Sequence, residues 1–276
     1  MTELRRMRPL LGTFIEVGAR GPAAAQAIEA AFARIEHAQA WWSFHDACSE
    51  LSRLNRTPGA CVMLRPHTLR LLRVARALMC RSAGSFDCTV GGMLVRQGLL
   101  PDHGGPEALP RGHANDIETG QGWARLRRPV RLTLDGIAKG YAVDLAVGAL
   151  QHAGADAGWV NAGGDLRVFG DLALPVQRRE LDGRFAALGA LRNAAVASSR
   201  AAASDAAADE SFPAHIIAPP GRQPHPGVWT VLARSAWRAD ALTKIAATAP
   251  APRREALVRS LGGCLLLPSP TRETVA

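Results

Sequence analysis

The chain has 276 residues, 33 basic against 24 acidic, with a formal net charge of +9. At 47% hydrophobic and 21% charged it reads as a globular protein with a sizeable core, which excludes a disordered chain. No apolar run reaches the roughly 18 residues of a bilayer span, and MTELRRMRPLLGTFIEV has neither the apolar stretch nor the small-residue cleavage site of a secretory signal. The chain as written is therefore expected to be cytoplasmic, or periplasmic if an upstream signal is missing.

In chain order, residues 11–17 (LGTFIEV) alternate as a short strand. Residues 22–42 predict an amphipathic helix, with Ala27, Ala31, Ile35 and Ala38 at helical spacing. Residues 66–82 predict a second helix, lined by Leu69, Leu72, Ala75 and Met79 and ended by Gly84. A Gly- and Pro-rich loop covers about 98–115. Residues 130–134 (VRLTL) predict a strand, and 137–153 a helix stopped at Gly154. A strand enters at Trp159, breaks at NAGGD (161–165) and resumes as LRVFG. Residues 200–212 form an expected exposed loop. A strand at 228–234, helices at 239–249 and 253–261, and a strand at 264–267 complete the pattern. Helices and strands do not alternate strictly, so the expected class is α+β, in one domain spanning 1–276.

Five cysteines without CxxC spacing indicate neither a disulfide framework nor a structural zinc site. Cys80 and Cys88 lie in apolar contexts and are expected in the core. The basic excess consists of 31 arginines and two lysines, Lys139 and Lys244. A GC-rich coding sequence accounts for that bias. The arginines are scattered, RLRRPVR at 125–131 is the densest patch, and aromatics are few, so no nucleic-acid partner is expected.

Several segments combine glycine with polar groups at element ends. They are Leu11-Gly12-Thr13, Ser85-Phe86-Asp87 leading into Gly91-Gly92, Asp135-Gly136-Ile137-Ala138-Lys139-Gly140, and Asn161-Ala162-Gly163-Gly164-Asp165. Glycine permits close backbone approach to a ligand, and a helix start presents free N–H groups to anions. Each segment alone is equally an ordinary tight turn. His215 opens a short apolar run. Asp240, Thr243 and Lys244 share one helical face, in what reads as the first turn of the 239–249 helix. A carboxylate and a hydroxyl there could hold a hard cation with substrate phosphates; a surface histidine and an i,i+4 salt bridge are the plainer alternatives.

The order of these blocks resembles the FAD:protein FMN transferase family, often called ApbE. LGTFIEV, SFHDACSELSRLN (43–55), SFDCTVGGMLV, LDGIAKGYAVD, WVNAGGDLRVFG, AHIIAP and ADALTK carry the resemblance, from about residue 11 to 247. It implies an α+β, T-fold-related architecture with a flavin cleft between two lobes. It also implies cleavage of the FAD pyrophosphate with a divalent ion, usually Mg²⁺, transfer of FMN to a Thr or Ser of an acceptor flavoprotein, and release of AMP. The implied acceptor carries a Ser/Thr-Gly/Ala-Ala-Thr type motif. FAD hydrolysis to FMN and AMP, or FAD binding without turnover, are the alternatives.

By match to the family's motifs, the cofactor-binding positions are Leu11, Gly12, Thr13, Ser85, Phe86, Asp87, Asp135, Lys139, Asn161, Gly163, Gly164 and Asp165. The metal positions are Gly136, through its carbonyl, and Asp240, with Thr243 as a further ligand. His215 matches the expected general base, and Lys244 is placed with it in the catalytic set.

Three departures stand out. Thr133 replaces the family's Asp, with Asp135 two residues later in place of a Gly. Ala218 replaces the Asp that follows His-Ile-Ile. Lys244 replaces a metal-ligating Thr. Either Thr243 takes over as ligand and Lys244 contacts a phosphate, or Lys244 sits on Asp240 and supplies the positive charge itself. A salt bridge without a role is the third alternative.

Overall fold

The computed structural model describes residues 3–201 and 216–266, so His215 lies outside the described residues. β1 (Leu4–Leu10) and β2 (Thr13–Arg20) form an antiparallel hairpin with Leu10 opposite Thr13. Leu11 and Gly12 are therefore its two-residue turn, with φ of 54° and 70°. Two successive positive φ values match the right-handed twist of a hairpin. The strand predicted over 11–17 thus starts two residues later, and β1, disguised by its arginines, is additional.

α1 (Ala24–Trp42) follows, buried along the face carrying Ala27, Ala31, Ile35 and Ala38, as the spacing requires. Next come α2 (Glu50–Arg56), β3 (Val62–Met63), α3 (Pro66–Arg81) and α4 (Gly91–Arg96). Gly84 closes α3 by donating its N–H back to the Met79 carbonyl. Cys88 is buried as expected, whereas Cys80 is exposed on α3.

β4 (Ile117–Thr119) and β5 (Trp123–Leu126) join β3 in a three-stranded sheet ordered β3-β5-β4. The basic patch there is consumed locally. Arg125 and Arg127 pair with Glu118, Arg128 with Asp116, and the buried Arg131 guanidinium caps the carbonyls of Asn55 and Gly104.

The strand predicted over 130–134 does not form; a single bridge joins Arg131 to Val90. A side chain takes its backbone instead. Asn55 accepts from the Leu132 N–H at 2.8 Å and donates to the Leu132 carbonyl at 2.9 Å. That buried amide occupies the place of a neighbouring strand.

α5 (Ala138–His152), β6 (Ala157–Ala162), β7 (Asp165–Phe169), β8 (Leu174–Arg179), β9 (Phe185–Leu191) and β10 (Ala195–Ala201) complete the middle of the chain. β11 (Gly227–Ala233), α6 (Ala236–Thr248), α7 (Ala251–Ser260) and β12 (Gly263–Leu266) end it. The main sheet is seven-stranded and antiparallel, ordered β1-β2-β6-β7-β10-β11-β12, and β8-β9 form a separate hairpin. Side chains alternate across the sheet. Ile15, Val17, Val160 and Ala162 face the helical layer of α1 and α5, while Trp159, Leu166 and Val168 face Leu172 and Leu191. A further core gathers α3, the three-stranded sheet and much of α6. The mixed architecture agrees with the α+β expectation. No helix among the described residues is long and apolar enough to cross a membrane.

Candidate active site

The β2–β6 register places two hairpin turns side by side. Ile15 lies opposite Ala162, so the Leu11-Gly12 turn and the turn at Gly163-Gly164 emerge at one end of the sheet. Gly163 and Gly164 have φ of 57° and 100°, and the Gly164 N–H donates to Asn161 Oδ1 at 3.0 Å. A β-carbon on Gly163 would lie 2.6 Å from Thr13 Oγ1, so these turns touch. Leu11, left-handed without being glycine, is held by its N–H donating to Gln39 Oε1 at 2.6 Å.

A cleft of about 470 Å³ opens beside them. Leu11 and Gly12 form one edge; Gln39, Trp42, Ser43, Phe44 and His45 at the end of α1 form a second; Asp135, Ala138 and Lys139 at the start of α5 form a third. Leu11 packs against both large cores, so the cleft lies where they meet. Trp42 is fixed by its indole N–H donating to Thr68 Oγ1 at 2.9 Å and by an edge contact with Tyr141. Sequence reasoning passed over Gln39, Trp42 and Phe44, because aromatics and amides at a helix end carry no distinguishing pattern.

Around the third edge, three carboxylates (Asp135, Asp165 and Asp240) and two ammonium groups gather. Lys139 Nζ lies 3.4 Å from Asp165 Oδ2, and Lys244 Nζ contacts Asp240 Oδ1. Asp240 is fully buried, and its other oxygen, Oδ2, accepts from the Gly140 N–H at 3.0 Å. Asp165 Oδ2 is buried with no hydrogen bond beyond that ion-pair contact. Burial pushes the Asp165 carboxyl up to about 6, the charge of Asp240 adds to the rise, and Lys139 and Lys244 oppose it. The Asp165 charge in turn raises Lys139 above its ordinary value against burial, so Lys139 is a cation at neutral pH.

α6 starts at Ala236, three residues before the predicted helix. Asp240 and Thr243 therefore lie beyond its first turn. The early start has a cause the sequence reading missed. Asp144 Oδ1 accepts from the Ala236 N–H and Oδ2 from the Trp237 N–H, both at 2.9 Å, while Arg167 pairs with Oδ1 at 2.5 Å. The Thr243 hydroxyl donates to the Asp240 carbonyl at 2.7 Å and lies 2.7 Å from Ser199 Oγ. Ser199 on β10, which no motif signalled, also accepts from Lys244 Nζ at 3.1 Å.

Gly136 sits over Lys244 and Phe86: a β-carbon there would lie 3.7 Å from Lys244 Cγ and 3.3 Å from Phe86 Cε2. The Ser85 carbonyl accepts from Thr248 Oγ1 at 2.5 Å, tying that turn to α6. Asp87 accepts from the Thr89 N–H at 2.8 Å and lies 3.8 Å from Arg111, which also donates to the Ala218 carbonyl. The segment just after His215 is thereby tied to the Ser85–Asp87 turn. Asp135 accepts from Thr133 Oγ1 at 2.8 Å, so the two altered positions bond to each other.

A model described as the ApbE family matches residues 11–266. A protein of Rhodobacter capsulatus named FAD:protein FMN transferase is 35% identical over 182 residues, covering 59% of this chain and 34% of that protein. The chain thus spans about a third of the length of this curated relative. Among solved structures, the apo flavinyl transferase ApbE of Pseudomonas stutzeri superposes with a TM-score of 0.77 at 18% identity, over 96% of this chain and 94% of that one. The flavin transferase ApbE of Vibrio cholerae gives 0.77 at 22% identity, over 94% and 91%. These structures share its fold.

Proposed function

The chain belongs to the ApbE family, and from that premise we propose that it is an FAD:protein FMN transferase. The supporting observation is the grouping of Lys139, Asp165, Asp240 and Lys244 beside a cleft walled by Trp42 and Phe44 and edged by the Leu11-Gly12 turn. The aromatic wall suits a flat ring system, and the ammonium groups suit a pyrophosphate. The name of the Rhodobacter capsulatus relative agrees with this reading.

The hydroxyl oxygen of an acceptor Thr or Ser attacks the phosphorus on the FMN side of FAD. A phosphoester P–O bond forms, the P–O bond to the bridging oxygen breaks, and AMP leaves with that oxygen. His215 takes the hydroxyl proton. Such phosphoryl transfer asks the protein for alignment and for positive charge on the phosphate oxygens. Lys139 and Lys244 supply that charge. Water in place of the acceptor gives FMN and AMP by the same steps.

A divalent ion is expected from the resemblance, but the donor set as folded does not fit one. Both Asp240 oxygens are engaged, the Thr243 hydroxyl is turned onto backbone and Ser199, and an ammonium abuts Asp240. No step here is drawn through such an ion.

The test is purified chain with FAD, with and without an acceptor flavoprotein carrying the Ser/Thr-Gly/Ala-Ala-Thr motif. AMP release that needs the acceptor, matched by FMN on the acceptor, is the expected result. Free FMN and AMP without acceptor would favour the hydrolase, and FAD binding without AMP would favour the non-catalytic reading.

A further inference from the structure

Resting on the transferase reading, we propose that Lys244 is a built-in counter-cation for the substrate pyrophosphate, held on Asp240 where a divalent ion is expected. A buried carboxylate needs a compensating charge. Asp240 is fully buried, and the partner the chain gives it is the ammonium four residues on, in the same helix. Asp240's second oxygen is engaged by the Gly140 N–H, so each carboxylate oxygen already has a donor.

The geometry of Lys244 suits a ligand-facing role. An ammonium has three protons to donate. One goes to Asp240 and one to Ser199 at 3.1 Å. About a fifth of the side chain, 22%, is exposed, so Lys244 is not sealed from solvent as Asp240 is. Lys139 repeats the arrangement beside it, on the buried Asp165 with 34% of its side chain exposed. Two buried carboxylates each paired with an ammonium group, and Asp135 close enough to act on Lys139, make a site whose buried charges are already compensated. Such a site receives a pyrophosphate, whereas a magnesium site presents unpaired oxygen donors to a dication.

Lys244 runs beside Gly136, where a β-carbon would lie at ordinary contact distance, 3.7 Å from its Cγ and 3.9 Å from its Cε. An ammonium is a compact point charge that a planar guanidinium does not reproduce. In a chain with 31 arginines, the position holds one of only two lysines.

The test uses chain freed of metal by EDTA, with FAD binding read by flavin fluorescence and Mn²⁺ binding read by electron paramagnetic resonance. Wild type is expected to bind FAD equally in EDTA and in Mg²⁺, and to hold no stoichiometric Mn²⁺. Lys244→Thr is expected to acquire one Mn²⁺ per chain. Lys244→Met is expected to lose FAD affinity about tenfold in EDTA, the effect of removing one charge-assisted contact. One Mn²⁺ per wild-type chain, or unchanged FAD affinity in Lys244→Met, overturns the proposal. Should wild type bind no FAD in either buffer, the transferase reading fails, and Mn²⁺ binding to free wild type and Lys244→Thr still decides the lysine: an ion in the variant alone supports it, and equal behaviour in both overturns it. If the single variants do not fold, Asp240→Asn with Lys244→Met removes both charges together and replaces them. An unchanged FAD affinity in that pair counts against the proposal as well.

Discussion

The backbone N–H of Gly140 donates to Oδ2 of Asp240 over 3.0 Å, joining two helices through residues 100 positions apart. The contact exists because α5 and α6 nearly touch. A β-carbon on Gly140 would lie 2.4 Å from the Ala236 carbonyl and 2.8 Å from Asp240 Cβ. Gly140→Ala must push the helices apart, with an expected loss of about 1–3 kcal/mol, as for other overpacked sites. Urea denaturation measures it, and a stability equal to wild type would refute the close approach.

Asp144 is the second tie between these helices. Asp144→Ala removes both acceptors from the start of α6 and the ion pair with Arg167. The expected loss is about 2 kcal/mol, the upper range for a helix cap. FAD affinity should fall with it, because α6 carries Asp240 and Lys244. Circular dichroism melts and flavin fluorescence check the two effects separately.

The cysteines divide sharply. Cys48, Cys61, Cys80 and Cys264 are exposed, while burial and the nearby charge of Asp87 raise the Cys88 thiol far above its ordinary value. Ellman's reagent should titrate four thiols in the native chain and the fifth only after denaturation. Five fast thiols would contradict the packing around Cys88.

Asp116 gives a pH dependence of definite sign. Hydrogen bonds from Arg128, at 2.6 and 2.7 Å, hold its carboxyl below the ordinary range against the opposing effect of burial. Its contribution to stability is present above the unfolded value of about 3.9 and is lost as the pH falls through the lower folded value. Asp116→Asn should therefore flatten the stability curve below about pH 4. An unchanged acid limb would refute the pairing.

The legible part of the fold was that set by local pattern. The α1 spacing and the α3 stop at Gly84 are written in a few adjacent residues. β1 was hidden because its arginines break the apolar alternation, although Arg6 and Arg8 reach Glu29 on α1. The 130–134 strand was misread because Asn55, some 77 positions away, takes the backbone of Leu132. At the candidate site, the glycine turns and both lysines stood out in the sequence. Ser199 and Arg111 did not, and Asp144 did so only as the last residue of LDGIAKGYAVD, since each acts only through partners brought near by folding.

The most direct test of the account is the intact mass of an acceptor flavoprotein bearing the Ser/Thr-Gly/Ala-Ala-Thr motif, after co-expression with this chain. The account predicts an FMN adduct with wild type that is lost or sharply reduced with His215→Ala, Asp240→Ala and Lys244→Met. An acceptor mass unchanged by wild type, or an adduct of equal yield with all three variants, would contradict it.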